Sequence, residues 1–225
     1  MFNYVFLWYN NCMKNTLLKF KTGFTLAEVL ITLVIIGVIA AMTIPTLINN
    51  LQKNELRSQF KKAVSVTSQA VQKMKTDYGD IIFDVNVDSA LDFRNRFIKY
   101  FSVICKDNCV NVSKYINHAG VSDSEFTNHM QNCFTVQDGM IFCCYKGNVS
   151  HAMYIDVDIN GDRGPNRWGY DFFTFYIHDD TQSLTPPSPG VPFWGYVCNN
   201  TATQFNGPAC TEAAMRDSEY FKKLL

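Results

Sequence analysis

The chain has no net charge: its 20 lysines and arginines are matched by 20 aspartates and glutamates over 225 residues. That balance removes the overall electrostatic pull behind nucleic-acid or acidic-surface binding, so nucleic acid is not an expected partner and recognition must rest on local features. Histidines number only four. Neither Cys105-Lys106-Asp107-Asn108-Cys109 nor Cys143-Cys144 is joined by a second tight ligand pair of the kind a structural zinc site shows, even with His118, His129 or His151 added. No local signature accompanies a Cys-His nucleophile either, and enzyme activity is not expected. Extensive disorder is excluded from the other side. With 47% apolar residues, the chain can bury the core of one mid-sized domain plus an appendage.

Charge is also missing locally, from Val29 to Ile44. Counted from Phe24 to Leu47, this apolar stretch matches the roughly 20 residues needed to cross a hydrocarbon core about 30 Å thick. Lys14, Lys19 and Lys21 precede it, and such a basic flank stays cytoplasmic, which places the chain beyond the apolar stretch outside. A secretory signal peptide with Ala40-Ala41 as its cleavage site is the plainer alternative, but the run is long for a signal core and passes into an amphipathic pattern without a break.

The residues at the start of the run are Lys21-Thr22-Gly23-Phe24-Thr25-Leu26-Ala27-Glu28-Val29-Leu30-Ile31. Here the chain resembles the type IV prepilin and type II secretion pseudopilin family, in which a Gly precedes the cleaved bond, a Phe follows it and a Glu stands fifth in the mature chain. Gly23, Phe24 and Glu28 are in that register. The resemblance implies cleavage between Gly23 and Phe24 by a prepilin peptidase that then methylates the amine of Phe24. It also implies insertion in the bacterial inner membrane as a single-pass protein with its head outside the cytoplasm. Assembly with copies of itself and other pilins into a cell-surface or periplasmic filament would come next. Met13 would begin a compact leader, Met13 to Gly23, as an alternative to Met1.

Physical chemistry independently singles out Glu28, since an ionisable group within a membrane segment costs several kcal/mol and asks for a partner. In a filament, the Phe24 amine of a neighbouring copy would supply the cation; the alternative is that Glu28, one turn inside the boundary, reaches back to the interface. Pro45 removes a backbone hydrogen bond and collides with the carbonyl of Ala41, so a bend or loosening is expected around Gly37 and Pro45. The family resemblance points to the same region.

Beyond Pro45, Leu56, Phe60, Ala63, Val64, Thr67, Ala70, Val71 and Met74 recur at spacings of three and four, the dry face of an amphipathic helix. Tyr78-Gly79-Asp80 reads as its stop. A short helix is expected within Ala90 to Phe101. Strands are expected over Met140 to Tyr145, Met153 to Val157 and Phe172 to Ile177, with turns at Gln137-Asp138-Gly139-Met140 and Lys146-Gly147-Asn148. Thr185 to Gly190 reads as a loop. The fold class is therefore α+β: a long N-terminal helix, membrane-spanning in its first half and amphipathic in its second, packed on an antiparallel head of about three or four strands. The expected organisation is a leader over 1–23, the helix over 24–78 with its membrane part at 24–48, and an extracytoplasmic head over 79–225.

Asp156-Val157-Asp158-Ile159-Asn160-Gly161-Asp162 sets oxygen-bearing residues at alternate places before and after a glycine, as the start of a calcium loop does. Asp156, Asp158, Asn160, Asp162 and Asp171 are the candidate Ca²⁺ ligands. Arg167 stands where an EF-hand loop has its bidentate Glu, and the alternative is that these residues are turn formers. The same stretch also resembles a loop found in many pilin-like heads.

Seven cysteines lie beyond Gly23, consistent with disulfides in an exported head. Cys198 and Cys210 bracket a Gly-Pro loop and resemble a pilin staple; Cys105 with Cys109, and Cys133 with Cys143 or Cys144, are possible pairs whose connectivity the spacing does not settle. The competing functional class is a membrane-anchored extracytoplasmic binding protein, or a minor pilin for adhesion or DNA uptake, with Phe193-Trp194-Gly195-Tyr196 as a conceivable aromatic patch. The acids clustered at Asp156 to Asp162 argue against DNA.

Overall fold

The structure is a computed structural model that describes residues 23–79, 89–122, 124, 126–146, 152–178, 182–187, 197–199 and 206–224. The leader before Gly23, the 147–148 turn, residues 188–190 of the 185–190 loop and the aromatic run at 193–196 lie outside the described residues.

Helix α1 spans Leu26–Tyr78, 53 residues, and runs through Gly37 and Pro45 without a break. Its chemistry changes along its length, and the chain divides into compact units at Leu47 and Ile48. In the first unit the apolar side chains of α1, from Leu26 to Leu47, are exposed all round the helix, Leu26 at 80% and Met42 at 72%. In the second unit only one stripe is buried: Leu56, Phe60, Ala63, Thr67, Ala70, Val71 and Met74. The polar member of that stripe, Thr67, is satisfied within the helix by donating to the Ala63 carbonyl at 2.6 Å. The helix stops where Gly79 takes a φ of +76° and donates its N–H to the Lys75 carbonyl, a left-handed cap that costs glycine little.

The head is a six-stranded meander in which every strand pairs antiparallel with its sequence neighbour: β1 Val103–Cys105, β2 Phe134–Val136, β3 Ile141–Lys146, β4 Ala152–Asp158, β5 Phe172–His178 and β6 Leu184–Thr185. The three strands expected from alternation are β3, β4 and β5. The sheet is wider than the three or four strands expected, because β1, β2 and β6 are two or three residues long and leave no alternation to read. Thr185, read as loop, pairs with Tyr176 in β6. Helix α2, Ala90–Phe97, and a 3-10 turn over Ile98–Tyr100 fill the place expected for a second helix. Ser89 caps α2, accepting from the Asp92 N–H.

Period-two alternation gives the sheet two different faces. Met153, Ile155 and Val157 of β4 and Phe173, Phe175 and Ile177 of β5 join the α1 stripe, Phe93 and Phe97 of α2, and Phe221 in the main core. Phe60 sits 4.5 Å from Phe173 and 5.5 Å from Phe221, ring centre to ring centre. The opposite face carries Asp156, Asp158, Thr174 and Phe172. There Ile141, Cys143 and Phe172 of the sheet pack with Tyr115, Phe126, Met130 and Trp168 in a second cluster, with helix α3 at Phe126–His129. Helix α4, Cys210–Arg216, also packs on the main core through Cys210 and Ala214.

Candidate functional site

Phe24 is 88% exposed, beside Gly23, at the head of α1. Thr25 begins the helix: its carbonyl accepts from Val29 N–H at 3.2 Å. The Thr25 N–H and hydroxyl each donate to Glu28 Oε2 at 2.8 Å, and Glu28 N–H donates to Thr25 Oγ1 at 3.3 Å. This is a reciprocal capping box, written in the sequence as Thr25-Leu26-Ala27-Glu28. It gives Glu28 hydrogen-bond donors within its own chain while Phe24 stands open. The later side chains along the first unit of α1 are mostly exposed Leu, Ile and Val, and the helix is long and apolar enough to cross a membrane.

The five carboxylate and amide residues of the 156–171 loop each have their own partner. Asp156 is fully buried and accepts from His129 Nδ1 at 2.9 Å and from the Thr174 hydroxyl at 2.6 Å; Thr174 in turn accepts from Trp168 Nε1 at 3.0 Å. Asp158 accepts from the Tyr115 hydroxyl at 2.6 Å and from Asn160 N–H at 3.2 Å. Asp171 accepts from the Asn166 and Arg167 N–H groups at 2.8 and 2.7 Å. Asn160 donates to the Gly164 carbonyl, and Asp162 is exposed and paired with Lys114 at 2.6 Å. The acids thus serve as acceptors for the loop's own backbone and for the covering aromatics, while the side-chain oxygens of Asn160 and Asn166 are buried without a donor. Burial pushes the Asp171 carboxyl up to about 6, and burial followed by the Asp171 charge raises that of Asp158. Gly161, with φ +65°, brings the loop against the β2–β3 turn. A Cβ there would lie 2.4 Å from the Gly139 carbonyl oxygen.

Three cysteine pairs are disulfide-bonded: Cys105–Cys109, Cys133–Cys143 and Cys198–Cys210. Cys143 is the partner taken by Cys133 because it faces the second cluster opposite Asp156, whereas Cys144 points to the main core. There Cys144 is a free thiol whose pKa is raised by burial, so it packs as a small hydrophobe. Arg94, 2% exposed, anchors the Cys105–Cys109 loop by donating to the Lys106 carbonyl and to Asp107.

Sequence reasoning missed Thr25, Tyr115, Thr174 and Trp168, and it set His129 beside cysteines rather than beside Asp156. For Thr25 the signal was available in the Thr-x-x-Glu spacing; the others come from distant segments and leave no local pattern.

No curated protein and no solved structure matches the chain. A family model does, over residues 18–44, and it describes the prokaryotic N-terminal methylation motif. The region carrying Gly23, Phe24 and the Thr25–Glu28 cap is therefore the prepilin-type cleavage and methylation signal of type IV pilins and pseudopilins.

Proposed function

We propose that the chain is a structural subunit of a filament of the type IV pilus or type II secretion pseudopilus kind. Prepilin peptidase cuts it after Gly23 and methylates the amine of Phe24. The mature chain waits in the inner membrane with its head outside the cytoplasm and assembles with other pilins through α1. The observation that carries this reading is the methylation motif over residues 18–44, which takes in the start of a helix whose apolar side chains are exposed from Leu26 to Leu47. Such a surface is stable only in lipid or against other apolar helices, which are the two places a filament subunit occupies in turn.

On this reading the chain divides into a leader to Gly23, a helix from Phe24 to Tyr78 and a head from Gly79. The role is structural rather than enzymatic. Glu28 exchanges its cap donors for the Phe24 amine of a neighbouring copy on assembly.

The test is the mature N-terminus, read by mass spectrometry from membrane and sheared-filament fractions. A chain beginning at N-methylated Phe24 in both fractions is expected. A start near Met42 would mean a secreted soluble protein, and an uncut chain a plain anchor; either defeats the proposal.

A further inference from the structure

We infer that His118, Cys198 and Cys210 form a zinc site when the Cys198–Cys210 disulfide is reduced. Their candidate ligand atoms lie within 4.8 Å of one another, and no other such trio of His, Cys, Asp or Glu occurs among the described residues. The inference does not depend on the filament reading.

The scaffold around these three residues holds without the disulfide. Val197 and Asn206 form a bridge, and Gly207 N–H donates to the Val197 carbonyl at 2.8 Å. Asn199 and Asn206 exchange two further hydrogen bonds, of 3.2 and 2.6 Å. The segment carrying Cys198 is thus tied to the segment leading into α4 and Cys210. His118 joins the same frame by donating its N–H to the Asn206 carbonyl at 2.9 Å, and Arg167 donates to the His118 carbonyl. Opening the sulfur–sulfur bond leaves both thiols facing each other beside the imidazole.

A neighbouring carbonyl also sets the tautomer of the imidazole. His118 is 7% exposed, and its Nδ1 lies 3.0 Å from the Trp168 carbonyl, to which it donates. That hydrogen bond fixes the tautomer and leaves the lone pair on Nε2, as is usual for a metal-bound histidine. Two thiolates and one imidazole are a donor set suited to zinc, with water in the fourth position.

The chemistry balances with an external dithiol as reductant. The dithiol gives two electrons and two protons to the Cys198–Cys210 bond and becomes a disulfide itself; Zn²⁺ then displaces one proton from each new thiol, and His118 contributes a lone pair. Oxidation reverses this and expels the metal. Disulfide and zinc are mutually exclusive states of one place, and the metal keeps the two sulfurs paired until they are oxidised.

The full chain, solubilised in detergent, is reduced with a phosphine, loaded with zinc and freed of excess metal. Retained zinc is then measured before and after reoxidation, with cobalt(II) as a spectroscopic stand-in. One zinc per chain and a cobalt–thiolate charge-transfer band are expected in the reduced protein. Both should be lost on reoxidation and in Cys198→Ser, and weakened in His118→Ala of unchanged circular dichroism. No retained zinc in the reduced protein, equal retention by Cys198→Ser, or equal retention after reoxidation would each overturn the site. The reoxidation arm uses the unmutated chain and decides the matter if a variant fails to fold.

Discussion

Thr25 and Glu28 are bonded to each other in both directions: the Thr25 N–H and hydroxyl reach one carboxylate oxygen at 2.8 Å, and the Glu28 N–H returns to the Thr25 oxygen at 3.3 Å. The acid that filament assembly would need is therefore held at the helix terminus beforehand. Glutamine can serve in the same cap, since a capping box accepts Glu or Gln at this place. This separates the cap from the charge. Both Glu28→Ala and Glu28→Gln chains should be cleaved and methylated yet absent from sheared filaments. Incorporation of the Glu28→Gln chain would show that the cap, not the charge, is what assembly uses.

The Asp158–Asp171 pair sets a pH dependence. Burial raises Asp171 to about 6 and raises Asp158 as well, so the folded head holds these protons more tightly than the unfolded chain. A raised carboxyl contributes stability that is complete below its unfolded value, near 4, and is lost as pH climbs through about 6. The head should gain on the order of 1–3 kcal/mol on acidification from about pH 7 to about pH 5, measured by urea unfolding. Asp171→Asn should flatten that slope; an identical slope in the variant would assign it elsewhere.

Calcium offers a separate test of the same loop. A bound cation would have to draw Asp158 and Asp171 from the N–H groups and the Tyr115 hydroxyl they now accept from, with Asp156 committed to His129 and Thr174. Millimolar calcium or a chelator should therefore leave the unfolding midpoint unchanged. A midpoint that rises with calcium would mean that the donor-less oxygens of Asn160 and Asn166 join the two acids around an ion.

Gly161 and Gly139 make a matched pair of substitutions. Both have positive φ, +65° and +88°, but only at Gly161 would a Cβ meet backbone, the Gly139 carbonyl oxygen at 2.4 Å. Gly139→Ala should cost about 1 kcal/mol for the left-handed backbone alone. Gly161→Ala should cost roughly 2–4 kcal/mol, because two turns must also separate. Equal losses by chemical denaturation would contradict the close approach.

Much of the architecture was legible because it is periodic. The buried stripe Leu56, Phe60, Ala63, Thr67, Ala70, Val71 and Met74 keeps helical spacing, and β3, β4 and β5 are long enough for alternation to show. The short strands were hidden because two or three residues have no period; they exist through their neighbours. The alternation of Asp156 and Asp158 with Ile155, Val157 and Ile159 carried two messages at once. Read as chemistry it suggests a cation loop; read as a strand it places acids on one sheet face, where His129, Tyr115 and Thr174 cover them. In sequence, the cysteines nearest His118 are Cys105 and Cys109. Its structural neighbours, Cys198 and Cys210, are brought to it by backbone bonds through Asn206, which no spacing rule encodes.

The meeting of Phe60 with Phe221 also orders events in time. The six strands pair with their sequence neighbours and can form in turn as a nascent chain lengthens. The hydrophobic face they build, however, lacks Phe221 until nearly the whole head has been made. A chain that has emerged outside only as far as β6 would hold a sheet with an open flank beside α1, and the head closes once residue 221 has followed. Until then the exposed rings of Phe60 and Phe173 are where a chaperone would find the chain.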